Sequence, residues 1–321
     1  MKAVGSVCGG GLLWAALAGC GGDPGPPAPA DSGEDGLPDP ATAPLAGACP
    51  ADADHGGFVL ELNDASAFRG RVRDGVLPAD RPEPVATVGD CALLRPPRPF
   101  CDPPCDAGEV CDLDETCVDY PASVGLGLVT VEGLVAPLEV APLEPGAVYD
   151  ASALPHPAAL PDASIRLGTE GGPLGPLALL GVGPELLTGV PAEVALARGA
   201  DLSLSWAPPV GLGRGEVGLT LRIDAHGVTP AWIACRFADT GSGTVPATLV
   251  DALFSSGVSG FPSLTLARET GDHVAVDGAC VDFVVRSPVE RTPTVEGHTP
   301  CFDDADCPDG QTCDLELESC V

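Results

Sequence analysis

Apolar and polar positions alternate with a period of two over much of the chain, the pattern of strands with one buried face. In Leu202-Ser203-Leu204-Ser205-Trp206 the apolar side chains fall on one side and the serines on the other, and Val217-Gly218-Leu219-Thr220-Leu221-Arg222-Ile223 repeats the alternation. Shorter runs of this kind lie at 57–62, 68–73, 124–131, 134–140, 163–167, 231–237, 263–267, 272–276 and 280–285. Pro and Gly interrupt them at spacings that suit antiparallel sheets, so the pattern predicts a mostly β chain folded as an antiparallel β-sandwich over 121–290. The segment 49–100 reads as an N-terminal β segment that adds strands to it. One helix is predicted near 245–254, with Pro246 in its first turn.

Composition limits what this architecture can do. Aromatic residues make up 4% of the chain, so the core must be built from Val, Leu and Ala. The formal net charge is −31, which excludes nucleic-acid binding by phosphate neutralisation and disfavours anionic lipid surfaces. Of 15 basic residues the only lysine is Lys2, so phosphate-binding loops and Schiff-base chemistry that need lysine are excluded as well.

The N-terminus carries an address. Lys2 precedes the apolar run Leu12-Leu13-Trp14-Ala15-Ala16-Leu17, which is too short to span a bilayer and has the order of a secretory signal. Leu17-Ala18-Gly19-Cys20 resembles the bacterial lipobox, which implies a lipoprotein signal peptide over 1–19 and acylation of Cys20. Several acyl chains hold a protein at a membrane where one does not. Gly21 follows the cysteine in place of the aspartate that retains enteric lipoproteins at the inner membrane, so the resemblance implies the outer membrane or cell surface. Over 21–48 there are thirteen Gly or Pro, five acids and no base. Such a segment buries too little apolar surface to offset its ordering entropy, and 20–48 reads as a lipid anchor followed by a disordered tether.

Apart from Cys8 and Cys20 the chain has twelve cysteines, the even number expected of a disulfide framework in an exported protein. Cys49 and Cys91 flank the first β segment. Cys101, Cys105, Cys111 and Cys117 form one cluster (unit 101–120), and Cys301, Cys307, Cys313 and Cys320 form another (unit 301–321). Cys235 and Cys280 stand alone on predicted strands, which suggests that they bridge each other. The two clusters are copies of one pattern: Cys105 to Cys111-Asp112-Leu113 and then Cys117-Val118 matches Cys307 to Cys313-Asp314-Leu315 and then Cys320-Val321. These spacings resemble the four-cysteine units of Dickkopf-type and EGF-like extracellular modules. The three prolines of 287–300 suggest a linker, placed at 291–300, beyond which the last unit is expected to fold on its own as a knob.

The stretch Leu202–Pro209 and the alternating strand after it resemble fibronectin type III and immunoglobulin-like domains, which implies an architecture rather than an activity. The whole layout resembles uncharacterised exported lipoproteins of myxobacteria. Asp239-Thr240-Gly241-Ser242 matches the catalytic loop of aspartic peptidases, but two such loops are needed and the chain has one, so it reads as a polar turn. Asp304, Asp306 and Asp309 loosely resemble an acidic calcium loop, making calcium the one candidate ion and no other cofactor expected. The resulting expectation is a non-enzymatic, lipid-tethered protein that binds or adheres to an envelope protein or polysaccharide. A structural envelope protein and a calcium binder are the alternatives.

Overall fold

The computed structural model describes residues 44–256 and 260–321. The chain is mostly β. Its main element is a nine-stranded sheet whose strands run, edge to edge, Glu83–Val88, Cys91–Arg95, Trp232–Ala238, Glu216–Asp224, Phe261–Val276, Ala279–Arg291, Asp54–Glu61, Ala67–Val72 and Tyr149–Ala151. The segment 49–100 therefore supplies strands at both ends of this sheet. All pairings within this sheet are antiparallel except one: Asp54–Glu61 runs parallel to Ala279–Arg291, with Phe58 opposite Phe283. The early and late parts of the chain lie side by side, a pairing that only a long crossover connection permits.

The long hairpin of Phe261–Val276 and Ala279–Arg291 organises the sheet. In its first strand, residues of one parity face inward: Leu264 and Leu266 at one end, Val274 and Val276 at the other. Two cores form on this face. Over the closed end of the hairpin, a four-stranded sheet of Ala178–Val182, Ser164–Thr169, Val129–Glu132 and Leu138–Val140 packs to bury Phe58, Phe68, Tyr149, Ile165, Leu179 and Phe283. This is the sandwich that the alternation predicts. Over the open end the cover is different: helix Ala247–Ser255, the pair Leu202–Ser205 with Ser242–Val245, and the pair Ala195–Leu196 with Thr294–Val295. The helix places Leu249, Val250, Leu253 and Phe254 in that core, and Asp201 accepts the Ala247 N–H at 2.7 Å to cap its start.

A polar seam separates the two cores. Arg268, Thr270 and Ser287 face inward on the same sheet face and are almost wholly buried. The connection leaving Ala178–Val182 crosses here: Thr270 Oγ1 donates to Val182 O at 2.7 Å, and the Leu187 N–H donates to Ser287 Oγ at 2.9 Å. Buried backbone groups that cross between cores are thereby satisfied by side chains.

Three expectations need correction. Cys235 does not bridge Cys280. Cys235 pairs with Cys91, its direct neighbour across the sheet, and Cys280 pairs with Cys49. The register carries Cys235 across two strands to Val289, nine residues along the strand from Cys280, so the two lie roughly 30 Å apart, beyond the reach of a disulfide. The segment 291–300 is not a free linker, because Thr294–Val295 pairs with Ala195–Leu196 and Val295 is buried in the core. The tether also ends earlier than 48: the Ala46 N–H donates to Asp272 Oδ1 and the Gly47 N–H to Gly271 O, both at 3.0 Å. Residues 46–53 form a strap that is fixed to the closed end of the hairpin.

Candidate functional site

The reactive-looking residues of the sequence are for the most part structural. Asp239 is not an exposed turn residue: its side chain and that of Arg268 are each 3% exposed. Arg268 Nε and Nη2 donate to the two Asp239 oxygens at 2.6 and 3.1 Å, and Trp206 Nε1 donates to Oδ1 at 2.8 Å. The rest of the guanidinium is taken by the carbonyls of Ala207, Glu185 and Leu186. A carboxylate so enclosed is a clamp between the strand end, the seam and the crossing connection, with no free oxygen for acid–base work.

The two cysteine units share one connectivity, first to third and second to fourth: Cys101–Cys111 with Cys105–Cys117, and Cys301–Cys313 with Cys307–Cys320. Each closes over a small hairpin in which Glu115 and Glu318 hold equivalent left-handed turns. The terminal unit does not stand apart. Phe302 stacks on Phe261 at 4.2 Å, the His226 N–H donates to Glu318 Oε2 at 2.9 Å, and His298 bridges Ser319 and the Gly260 carbonyl.

Its acids cap backbone rather than converge. Asp304 accepts the Cys313 N–H, Asp306 accepts those of Phe302 and Asp303, and Asp303 accepts that of Ala305. Asp304, Asp306 and Asp309 form no group of mutually close ligand oxygens among the described residues, so the calcium reading has no geometric basis there. The cysteine groupings close enough for a metal are disulfide-bonded and offer no thiolate. Cys20 lies outside the described residues.

On the outer face of the large sheet, charges alternate from strand to strand. Arg69 meets Glu61, Glu61 meets Arg286, and Arg236 meets both Glu216 and Glu269. Burial raises the Glu269 carboxyl, and Arg236 opposes the rise. Their arginines reach into solvent, and pairs screened in this way contribute little each, about 0–1 kcal/mol.

Under the strap lies Asp282, against which Gly57 packs so closely that an added Cβ would sit 2.2 Å from Oδ1. Burial first, and then the charge of Asp54, push its carboxyl up to about 6, against the Cys49 N–H and His273. An acid whose folded pKa exceeds its unfolded value, about 3.9, binds its proton more tightly when folded. Its ionisation therefore costs stability above about pH 6, and that cost is relieved as pH falls toward about 4. The melting temperature is expected to rise as the pH is lowered from about 7 to about 5, with Asp282→Asn removing much of the rise. Parallel profiles for parent and variant across that window would refute it.

An open strand edge lies on the other side of the hairpin. In the register of its two strands Leu266 is opposite Val289, Ala267 opposite Pro288 and Thr265 opposite Glu290. Pro288 has no N–H, so Ala267–Pro288 is a non-hydrogen-bonded pair, and the backbone groups of Pro288 and Glu290 point away from the hairpin. One step earlier the same phase is already used: the Leu62 N–H donates to Arg286 O at 2.7 Å. After Leu62 the neighbouring chain turns away, and its lane continues as a groove of about 390 Å³ lined by Leu62, Asn63, Asp64, Leu187, Thr188 and Glu290, among others. Arg291 forms part of the wall, its guanidinium donating to the carbonyls of Val190, Pro191 and Glu290. Asp64 and Glu290 are exposed, and neither carboxylate has a partner among the described residues. The sequence does not announce this site, because the prolines after Arg286 suggest a linker. The available signal was a single proline, Pro288, inside an alternating run, which marks a strand edge.

No family model matches the chain, and no curated protein matches it. Comparison with solved structures returns, among others, the crystal structure of the chicken CNTN1 FN1–FN3 domains, at 9% identity and a TM-score of 0.19, with 67% of this chain covered. The chain spans 65% of the length of that structure.

Proposed function

We propose that this chain is an exported, lipid-anchored protein without catalytic activity, which is held at the outer membrane or cell surface through Cys20 and binds a partner in the groove beside Pro288 and Glu290. One contrast carries the binding reading. The buried polar side chains of the seam, Arg268, Asp239, Thr270 and Ser287, are bonded within the protein, whereas the edge groups of the groove and the carboxylates of Asp64 and Glu290 are left to solvent. The six disulfides among the described residues belong to an oxidising compartment and support export. The lipobox resemblance of Leu17–Cys20 and the likeness of the layout to myxobacterial exported lipoproteins support the anchor.

The anchor has a direct test. Cys20→Ser is expected to move the protein from the membrane fraction to the soluble fraction or to leave an unprocessed precursor, read by fractionation and intact mass. An unchanged membrane fraction with no lipid mass on the parent would overturn the anchoring.

A further inference from the structure

We propose that the groove beside Pro288 and Glu290 takes an extended, basic segment of another polypeptide, added as a short strand in the lane that Asp54–Glu61 vacates. The inference rests on the binding reading above and names the class of partner.

The backbone dictates the extended form. A strand edge offers one carbonyl and one N–H per alternate residue, and only another extended backbone matches that spacing. Here the Pro288 carbonyl and the Glu290 N–H face the groove, while the Glu290 carbonyl is already taken by Arg291 Nη1 at 2.8 Å. The guest would continue the line that the Leu62 N–H begins at Arg286 O. The other free edge of the hairpin shows the contrast: there the strap fills the vacancy, with the Gly47 N–H on Gly271 O. One unpaired edge is covered by the chain itself and the other is left open.

Charge dictates the basic character. Asp64 and Glu290 flank the lane with no ion pair among the described residues, and Arg291 in the groove wall is turned into the wall carbonyls. The protein as a whole carries a formal charge of −31, which steers cations toward it. The same charges disfavour two other occupants. The segment 21–48 of this chain has five acids and no base, and a second copy would bring a further −31. A polysaccharide would find no Trp, Tyr or Phe among the residues that line the groove, and the one ring there, His156, is engaged by Ser66.

The test is a binding measurement on the folded chain at about 0.15 M salt, where long-range attraction is screened. The probe is a short fluorescein-labelled peptide of alternating arginine and valine, followed by anisotropy. Its counterparts are a glutamate–valine peptide and an arginine–valine peptide N-methylated at alternate amides. Saturable binding of the basic peptide is expected, weakened roughly tenfold or more by Glu290→Lys or Asp64→Lys and by N-methylation, with slowed amide exchange at Glu290. Glu139→Lys, which makes the same charge change on the exposed face of the smaller sheet, should leave affinity within about twofold. If the acidic peptide binds the groove instead, the partner class is overturned while the binding reading stands. If Glu139→Lys weakens binding as much as Glu290→Lys, or if N-methylation has no effect, the attraction is unspecific and strand addition is overturned. If neither peptide binds and Glu290 exchange is unchanged, both fail.

Discussion

Asp239→Ala is expected to lower the unfolding free energy by about 3–5 kcal/mol, the largest effect of any single substitution considered for this chain. The reason is what remains behind. Arg268 is 2% exposed, and without Asp239 its charge would be held between two cores with only carbonyls for company. Trp206 Nε1 would lose its acceptor at the same time. Asp239→Asn keeps the shape and one oxygen and should fall between the parent and the alanine variant. The double replacement Asp239→Leu with Arg268→Met should recover much of the loss, because a buried pair removed together leaves no uncompensated charge. Chemical denaturation at neutral pH reads all four proteins. A loss below about 1 kcal/mol for Asp239→Ala would mean that the seam is hydrated and the clamp immaterial.

Removing the Cys49–Cys280 bridge should come close to this in size. It joins residues 231 apart in sequence, and the chain-entropy model gives a loop of that length about 5 kcal/mol, with about 2–5 the usual observed cost. Paired Cys49→Ser and Cys280→Ser substitutions should therefore depress the melting temperature strongly, and Cys91→Ser with Cys235→Ser should do the same. The bridges of the terminal unit enclose separations of 12 and 13 residues, and their loss should loosen only that unit and its contacts with Phe261 and His226. Mapping of non-reduced peptides should recover Cys49 joined to Cys280 and Cys91 joined to Cys235. A Cys235–Cys280 peptide would contradict the strand order itself.

The strands with a clean alternation were legible in the sequence, and so was the helix, whose apolar residues follow a proline. The runs at 263–267 and 272–276 suggest two strands and are one, Phe261–Val276. The polar seam explains the misreading. Arg268, Thr270 and Asp272 break the apolar run although they stand on the inward parity, because each is satisfied by a group from another element. The edge strand Glu83–Val88 escaped notice because it has little to bury on either face and includes Pro84. The repeat of the cysteine units was legible to the residue, yet their connectivity was not, since spacing alone leaves three pairings for four cysteines. Asp239 is legible as a motif and as a turn leaving a strand, but its burial is not. No sequence pattern places Arg268 opposite it, because the two meet only through strand order.

The strap at 46–53 has a mechanical consequence. Tension arriving along the chain from its N-terminal side meets the fold at Gly47 and Cys49, and the Cys49–Cys280 bond passes it directly into the middle of the large sheet. The residues between them are bypassed, so the hydrogen bonds of Asp54–Glu61 and its neighbours carry none of that load. Among the described residues, the few contacts of Ala46 and Gly47 stand ahead of the covalent link. Pulled from that end, the domain should yield at the strap and then stop at the sulfur bridge, and a reducing environment would turn the same pull into unzipping of the sheet from its first strand.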